Sequence, residues 1–105
     1  MNENSKLLSL IGLAKKAGRI STGHDAVLES LKKKKAKLII LASDSSERLE
    51  REMRREVDFA AAQVETIRIA ETMADIGRAL PKKAGVISVN DESFAAGILK
   101  VIKEG

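Results

Sequence analysis

Residues 35–46 read KAKLIILASDSS, and inside them Leu38, Ile39, Ile40 and Leu41 form an unbroken apolar run. A run this short, flanked by Lys37 and by the helix-starting cluster Asp44, Ser45 and Ser46, fits a central strand covered on both faces over residues 37–42. Covering both faces requires helices on both sides of a sheet.

The flanking segments supply those helices. Upstream, Leu7, Leu10, Ile11, Ala14 and Ala17 recur near the helical period, predicting a first helix over residues 5–17 that Gly18 ends. A brief extended segment over 19–21 follows. Thr22 and Asp25 then have capping-box spacing, and Val27 and Leu31 give a second helix, running through Lys34, its inward side. Downstream, Asp44, Ser45 and Ser46 are overlapping caps for a third helix whose apolar positions are Leu49, Met53, Val57 and Ala60. Its charged block, Glu50 to Glu56, reads as solvated i,i+4 pairing. Residues 64–69 predict a strand. Thr72 and Asp75 repeat the capping-box spacing before a short helix with Met73, Ile76 and Leu80 inward and Pro81 at its end. A strand over 85–89 and a last helix capped by Asn90 and Asp91, with Phe94, Ile98, Val101 and Ile102 inward, complete the order. Alternating helices and strands of this length predict the α/β class: a compact three-layer α/β/α sandwich with a small mixed sheet, forming a single domain over residues 1–105.

Composition narrows the function classes. The chain has 105 residues and no cysteine, which excludes disulfide frameworks, thiol catalysis and Cys-ligated zinc, and fits a reducing compartment. No segment has the length of apolar sequence that suggests a membrane span or a signal peptide, so a cytoplasmic protein without membrane association is expected. The formal charge of +4 is unevenly placed: residues 1–37 hold 9 basic and 3 acidic side chains, whereas residues 38–80 hold 6 basic and 9 acidic. One basic side facing a polyanion accounts for that polarity, with solubility as the plain alternative.

Enzyme signals are weak. Gly12, Gly18 and Gly23 do not make a dinucleotide-binding turn, no phosphate-binding P-loop is present, and the lone His24 sits at a helix start among hydroxyls. Asp44, Glu47 and Glu50 fit a helix start better than a metal cluster. Neither cofactor nor metal is expected. The coherent constellation is Ser21, Thr22, Gly23, His24 and Asp25 followed by Lys32, Lys33, Lys34, Lys35 and Lys37. Gly23 permits close backbone approach, the helix start presents free N–H groups, and the lysines attract phosphate without reading sequence. Lys82 and Lys83 form a second basic loop that joins this surface if it lies beside the second helix. The only aromatic residues, Phe59 and Phe94, fall on apolar helical faces and are expected in the core, which disfavours a stacking platform of exposed rings.

Four pieces in order, AGRISTGHDAV at 17–27, KAKLIILASDSS at 35–46, IGRAL at 76–80 and VISVNDESFA at 86–95, resemble the L-seven-Ae superfamily of large-subunit ribosomal proteins, and in particular its small bacterial YlxQ-like group. The resemblance spans essentially the whole chain. It implies an α/β/α domain that binds kink-turns or related bent RNA, ribosomal RNA included, in the company of ribosomal or ribonucleoprotein proteins. It further implies that Gly23, His24 and Asp25 meet the kink, with Ala42, Ser43, Asp44 and Ser45 in a neighbouring loop and Leu80 to Gly85, including Lys82, Lys83 and Ala84, in the loop against unpaired nucleotides. Where kink-turn binders carry G-x-N-E-x-x-K, this chain has Gly23, Asp25, Ala26 and Glu29. An ionised Asp25 donates no hydrogen bond, Ala26 lacks the acceptor, and Glu29 reverses the charge. A protein-interaction module that has lost specific kink-turn readout is the alternative these substitutions raise.

Overall fold

The computed structural model describes residues 4–60 and 62–104 as α1 (Asn4–Lys16), β1 (Ile20–Thr22), α2 (His24–Lys32), β2 (Leu38–Leu41), α3 (Glu47–Phe59), β3 (Glu65–Arg68), α4 (Met73–Ala79), β4 (Val86–Val89) and α5 (Glu92–Glu104). The strands lie in the order β1-β4-β2-β3. β2 pairs parallel with β3 and antiparallel with β4, and β4 pairs antiparallel with β1, so the sheet is mixed as expected.

The two inner strands, β2 and β4, are buried at every residue. That double coverage explains the unbroken run at 38–41, because a strand with helices on both faces has no solvent side to keep polar. Alternate side chains divide between two layers. Leu38 and Ile40 join Ile87 and Val89 against Leu7, Ile11 and Ala14 of α1, Ile76 of α4 and Ile98 of α5. Ile39 and Leu41 join Val86 against Val27 and Leu31 of α2 and Met53 and Val57 of α3. The three layers are therefore α1, α4 and α5 on one face, the sheet, and α2 with α3 on the other.

Local chemistry fixes the helix ends. Thr72 and Asp75 form the expected capping box, with the Thr72 amide donating to Asp75 Oδ2 at 2.9 Å and the Asp75 amide to Thr72 Oγ1 at 3.1 Å. Asp91 accepts from the Phe94 amide at 2.9 Å at the start of α5. α1 closes on Gly18 at φ 75°, where the Arg19 amide reaches back to the Ala14 carbonyl at 2.9 Å.

Phe94 packs against the larger core cluster as expected, but Phe59 is corrected: it is 89% exposed. Met53 and Val57 already define the inward stripe of α3, and Phe59 lies two residues past Val57, roughly 200° further round the helix.

Ile40, central in β2 and fully buried, tests the layered core. Ile40→Ala is expected to lower the unfolding free energy by about 2–5 kcal/mol in urea titration, since the surrounding layers refill such a cavity only in part. A loss below about 1 kcal/mol would contradict the packing described.

Candidate nucleic-acid interface

The turn into α2 is set by backbone. Gly23 has φ 94° and ψ 165°, a conformation open essentially to glycine, and no atom lies within 4 Å of where a Cβ would stand. Conformation, not crowding, demands glycine here. Its amide donates to the Val86 carbonyl at 2.9 Å, fastening the turn to the start of β4. The expected capping box between Thr22 and Asp25 does not form. Thr22 is the last residue of β1 with its Oγ1 buried and unpartnered, and the cap position falls on Gly23, which has no side chain to accept. The first turn of α2 therefore has no side-chain cap, which leaves its amide dipoles to solvent or a ligand.

Two loops meet this turn. The Ala42 amide donates to the Gly85 carbonyl at 3.0 Å, one residue before the carbonyl that Gly23 uses. At Gly85 a Cβ would stand 3.3 Å from Leu49 Cδ2 and 3.4 Å from Ser45 Cβ, so the 80–85 loop lies tightly on the 42–46 loop. Of the overlapping caps Asp44, Ser45 and Ser46, Ser46 caps α3 through the Leu49 amide at 3.0 Å, whereas Asp44 Oδ1 accepts from the Met73 amide at 2.9 Å. The 42–46 loop is thus tied to the α4 start as well as to β4.

Arg68 shapes that loop, and nothing in its own sequence neighbourhood singles it out. Its guanidinium donates to the carbonyls of Ala42 at 2.9 Å, Ser43 at 3.1 Å and Ser45 at 2.8 Å, and to Glu50 Oε1 at 2.7 Å. These hydrogen bonds from Arg68, then those from Arg54, hold the Glu50 carboxyl below its ordinary pKa. The charged block of α3 is accordingly more than surface pairing: Glu50 and Glu52 both reach partners on other elements.

The sequence constellation separates in space. Gly23, His24 and Asp25 share one end of the sheet with Ala42, Ser43, Asp44 and the segment Lys82, Lys83 and Ala84. Ala42 and Ala84 are buried and offer only backbone there, whereas Ser43, Asp44, Lys82 and Lys83 are exposed. Lys32, Lys33, Lys34 and Lys37 lie at the opposite end. α2 carries them away over ~13 Å at ~1.5 Å per residue, and the Lys37 amide donates to Val89, the far end of β4 from Val86. Ser21 faces that end too, bonded to Ser30 at 2.6 Å and to Asn90 at 2.9 Å. The expectation of one surface joining the turn and the lysine tract is therefore corrected.

His24 links α2 to α3. Its Nδ1 is 2.9 Å from Asp25 Oδ1 and its Nε2 is 2.7 Å from Glu52 Oε2. Both ring nitrogens face carboxylates, an arrangement in which only the imidazolium donates twice. The Asp25 hydrogen bond, then that of Glu52, raises the pKa above the ordinary 6.5. Among the described residues no group of three acidic or histidine side chains is placed to hold a metal. Because the folded pKa is raised, the stabilisation from this pair is complete below about pH 6.5 and is lost as pH rises through the folded value. The melting temperature of the wild type should exceed that of Glu52→Gln most below pH 6.5, by a small margin because the pair is partly exposed, and the two should converge in alkaline buffer.

The family described as ribosomal protein L7Ae/L30e/S12e/Gadd45 matches residues 5–96. The chain is 27% identical over 94 residues to a Bacillus subtilis (strain 168) protein named RNA-binding protein YlxQ, covering 89% of this chain and 91% of that one. It is 30% identical over 106 aligned positions to an Enterococcus faecium protein of the same name, covering 98% and 99%. Among solved structures, a protein with unknown function from Bacillus halodurans C superposes with a TM-score of 0.79 at 27% identity, over 93% of this chain and 97% of that one. A Giardia lamblia 15.5kD RNA binding protein superposes with a TM-score of 0.72 at 19% identity, over 97% and 86%, a likeness of fold. The ordered sequence pieces, the layered fold and the match over 5–96 agree, and the chain belongs to the ribosomal protein L7Ae/L30e/S12e/Gadd45 family.

Proposed function

We propose that this protein binds structured RNA without catalysing a reaction, through the end of the sheet where the Gly23 turn, the 42–46 loop and the 80–85 loop meet. The observation that carries the reading is that convergence: the consecutive Gly85 and Val86 carbonyls accept the amides of Ala42 and Gly23. An uncapped helix start offers amides to a phosphate, exposed Ser43 and the Lys82 and Lys83 side chains flank it, and three rigidly joined segments suit a bent backbone better than a straight one. Two relatives spanning nearly the whole chain are named RNA-binding proteins. The finer reading is a kink-turn-like or ribosomal RNA, held in the cytoplasm as part of a ribonucleoprotein.

The acidic side chains near the turn shape this recognition. Asp25 is fully exposed, and Glu52 and Asp25 enclose His24. That acidity also favours a second reading, a module that docks a ribonucleoprotein protein at the same end; a purified complex that persists through ribonuclease treatment would support it.

The main test compares a kink-turn RNA with a straight duplex of equal length and composition at several salt concentrations. A preference of at least about tenfold, ~1.4 kcal/mol, is expected for the kink-turn. Equal affinities would reject shape selectivity. Asp25→Asn removes a negative charge from the first turn of α2 and should tighten kink-turn binding about two- to fivefold, as expected for ~0.3–1 kcal/mol per charge at a helix start. Unchanged affinity would place the RNA away from Asp25.

A further inference from the structure

The far end of α2 holds an open cleft of about 590 Å³, walled by the cations Arg19, Lys33, Lys34, Lys35 and Lys37 with the single carboxylate Glu29 among them. Lys33 is paired with Glu29 at 2.7 Å, but Arg19, Lys34, Lys35 and Lys37 have no ion-pair partner among the described residues. The floor is polar and connected: Asn90 Nδ2 donates to Ser21 Oγ at 2.9 Å and Ser21 is 2.6 Å from Ser30, while the buried Ser88 Oγ behind them donates to Asn90 Oδ1 at 2.9 Å. Asn90 itself lines the cleft.

One backbone feature marks this cleft as more than a solvated helix end. α1 and α2 close with the same turn, in which an amide reaches back five residues: Arg19 to Ala14 and Lys35 to Ser30, each at 2.9 Å. In α1 the left-handed position is filled by Gly18 at φ 75°. In α2 it is filled by Lys34 at φ 60°, the single non-glycine residue with positive φ among those described. Glycine is the unstrained choice at such a position, so a lysine there runs against local preference, a conflict that concentrates at functional sites.

We propose that this cleft is a second phosphate-backbone site, which grips an RNA strand beyond the segment held at the Gly23 turn and does so without reading sequence or shape. The proposal rests on the reading that the chain binds RNA. The cleft has no aromatic residue in its walls and no large apolar side chain, Gly18 and Ala26 being its apolar residues, whereas a protein interface builds its core from aromatic and apolar anchors and is depleted in lysine. Unpaired cations over a hydrogen-bonding floor suit a phosphodiester chain, whose binding is driven by counterion release. The two sites lie ~13 Å apart along α2, within reach of a single RNA only a few nucleotides longer than the bent segment.

The experiment compares the wild type with the triple variant Lys34→Ala, Lys35→Ala, Lys37→Ala on a kink-turn trimmed to its kink, on the same kink-turn with a single-stranded uridine extension, and on polyuridylate. On the extended RNA the variant should lose about 10- to 100-fold in affinity at low salt, and its log K against log salt slope should fall by about 2, as three lost single-strand phosphate contacts require. On the trimmed RNA it should remain within about twofold of the wild type. Equal losses on both kink-turn RNAs, or no loss on the extended one, overturn the proposal. Polyuridylate separates the two readings: a variant that binds it more weakly than the wild type upholds the cleft even if kink-turn preference fails, and identical binding rejects the cleft even if that preference holds. Polyglutamate competing as well as polyuridylate at equal charge would assign the cleft to an acidic protein and overturn it. Lys34→Gly should raise Tm while lowering the salt slope by about 0.7; a full slope removes Lys34 from the site.

Discussion

The placement of β4 between β1 and β2 is the constraint on which the rest depends. Being antiparallel to both neighbours, β4 begins where each of them ends. Its entry carbonyls, at Gly85 and Val86, accept one amide from the loop leaving β2 and one from the turn leaving β1. Three segments distant in sequence are thereby brought to one edge by ordinary ladder bonding continued one residue past the strands.

Side chains then stiffen what the backbone assembles. Arg68, at the end of the edge strand β3, gathers loop carbonyls that would otherwise need water, and the Glu50 carboxylate fixes the guanidinium plane. A planar five-donor group is suited to this in a way a lysine is not. Asp44 adds a tie to α4 and His24 a tie from α2 to α3. The rim formed by these segments is thus held by polar contacts over an apolar core whose two halves share the inner strands.

Charge is arranged by end. The turn rim mixes Asp25, Asp44 and Glu52 with Lys82 and Lys83, while the opposite end carries Arg19, Lys33, Lys34, Lys35 and Lys37 against Glu29 and Glu92. On the proposed reading, the rim would supply selectivity by its geometry and the basic end would supply long-range attraction.

Much of this was legible in the residues, for identifiable reasons. Periodicity located every helix and strand to within a few residues, because each buries one definite face, and Thr72 with Asp75 and the acceptor at Asp91 capped as their spacing implies. The same spacing misled at Thr22 and Asp25: the strand β1 claimed Thr22, and pairing with β4 set the torsion of Gly23, neither of which is a local property. Phe59 looked like core because hydrophobicity does not reveal which side of a helix end the sheet covers. The sequence by itself determined the alternation of elements, the doubly buried central strand and the lysine-rich segment, since these follow from short-range preference and the apolar pattern. Only the tertiary structure decided that Arg68, Glu50 and Asp44 would organise the rim and that the lysines would face away from the turn, because strand order and the direction of α2 are set by global packing, not by neighbours in the chain.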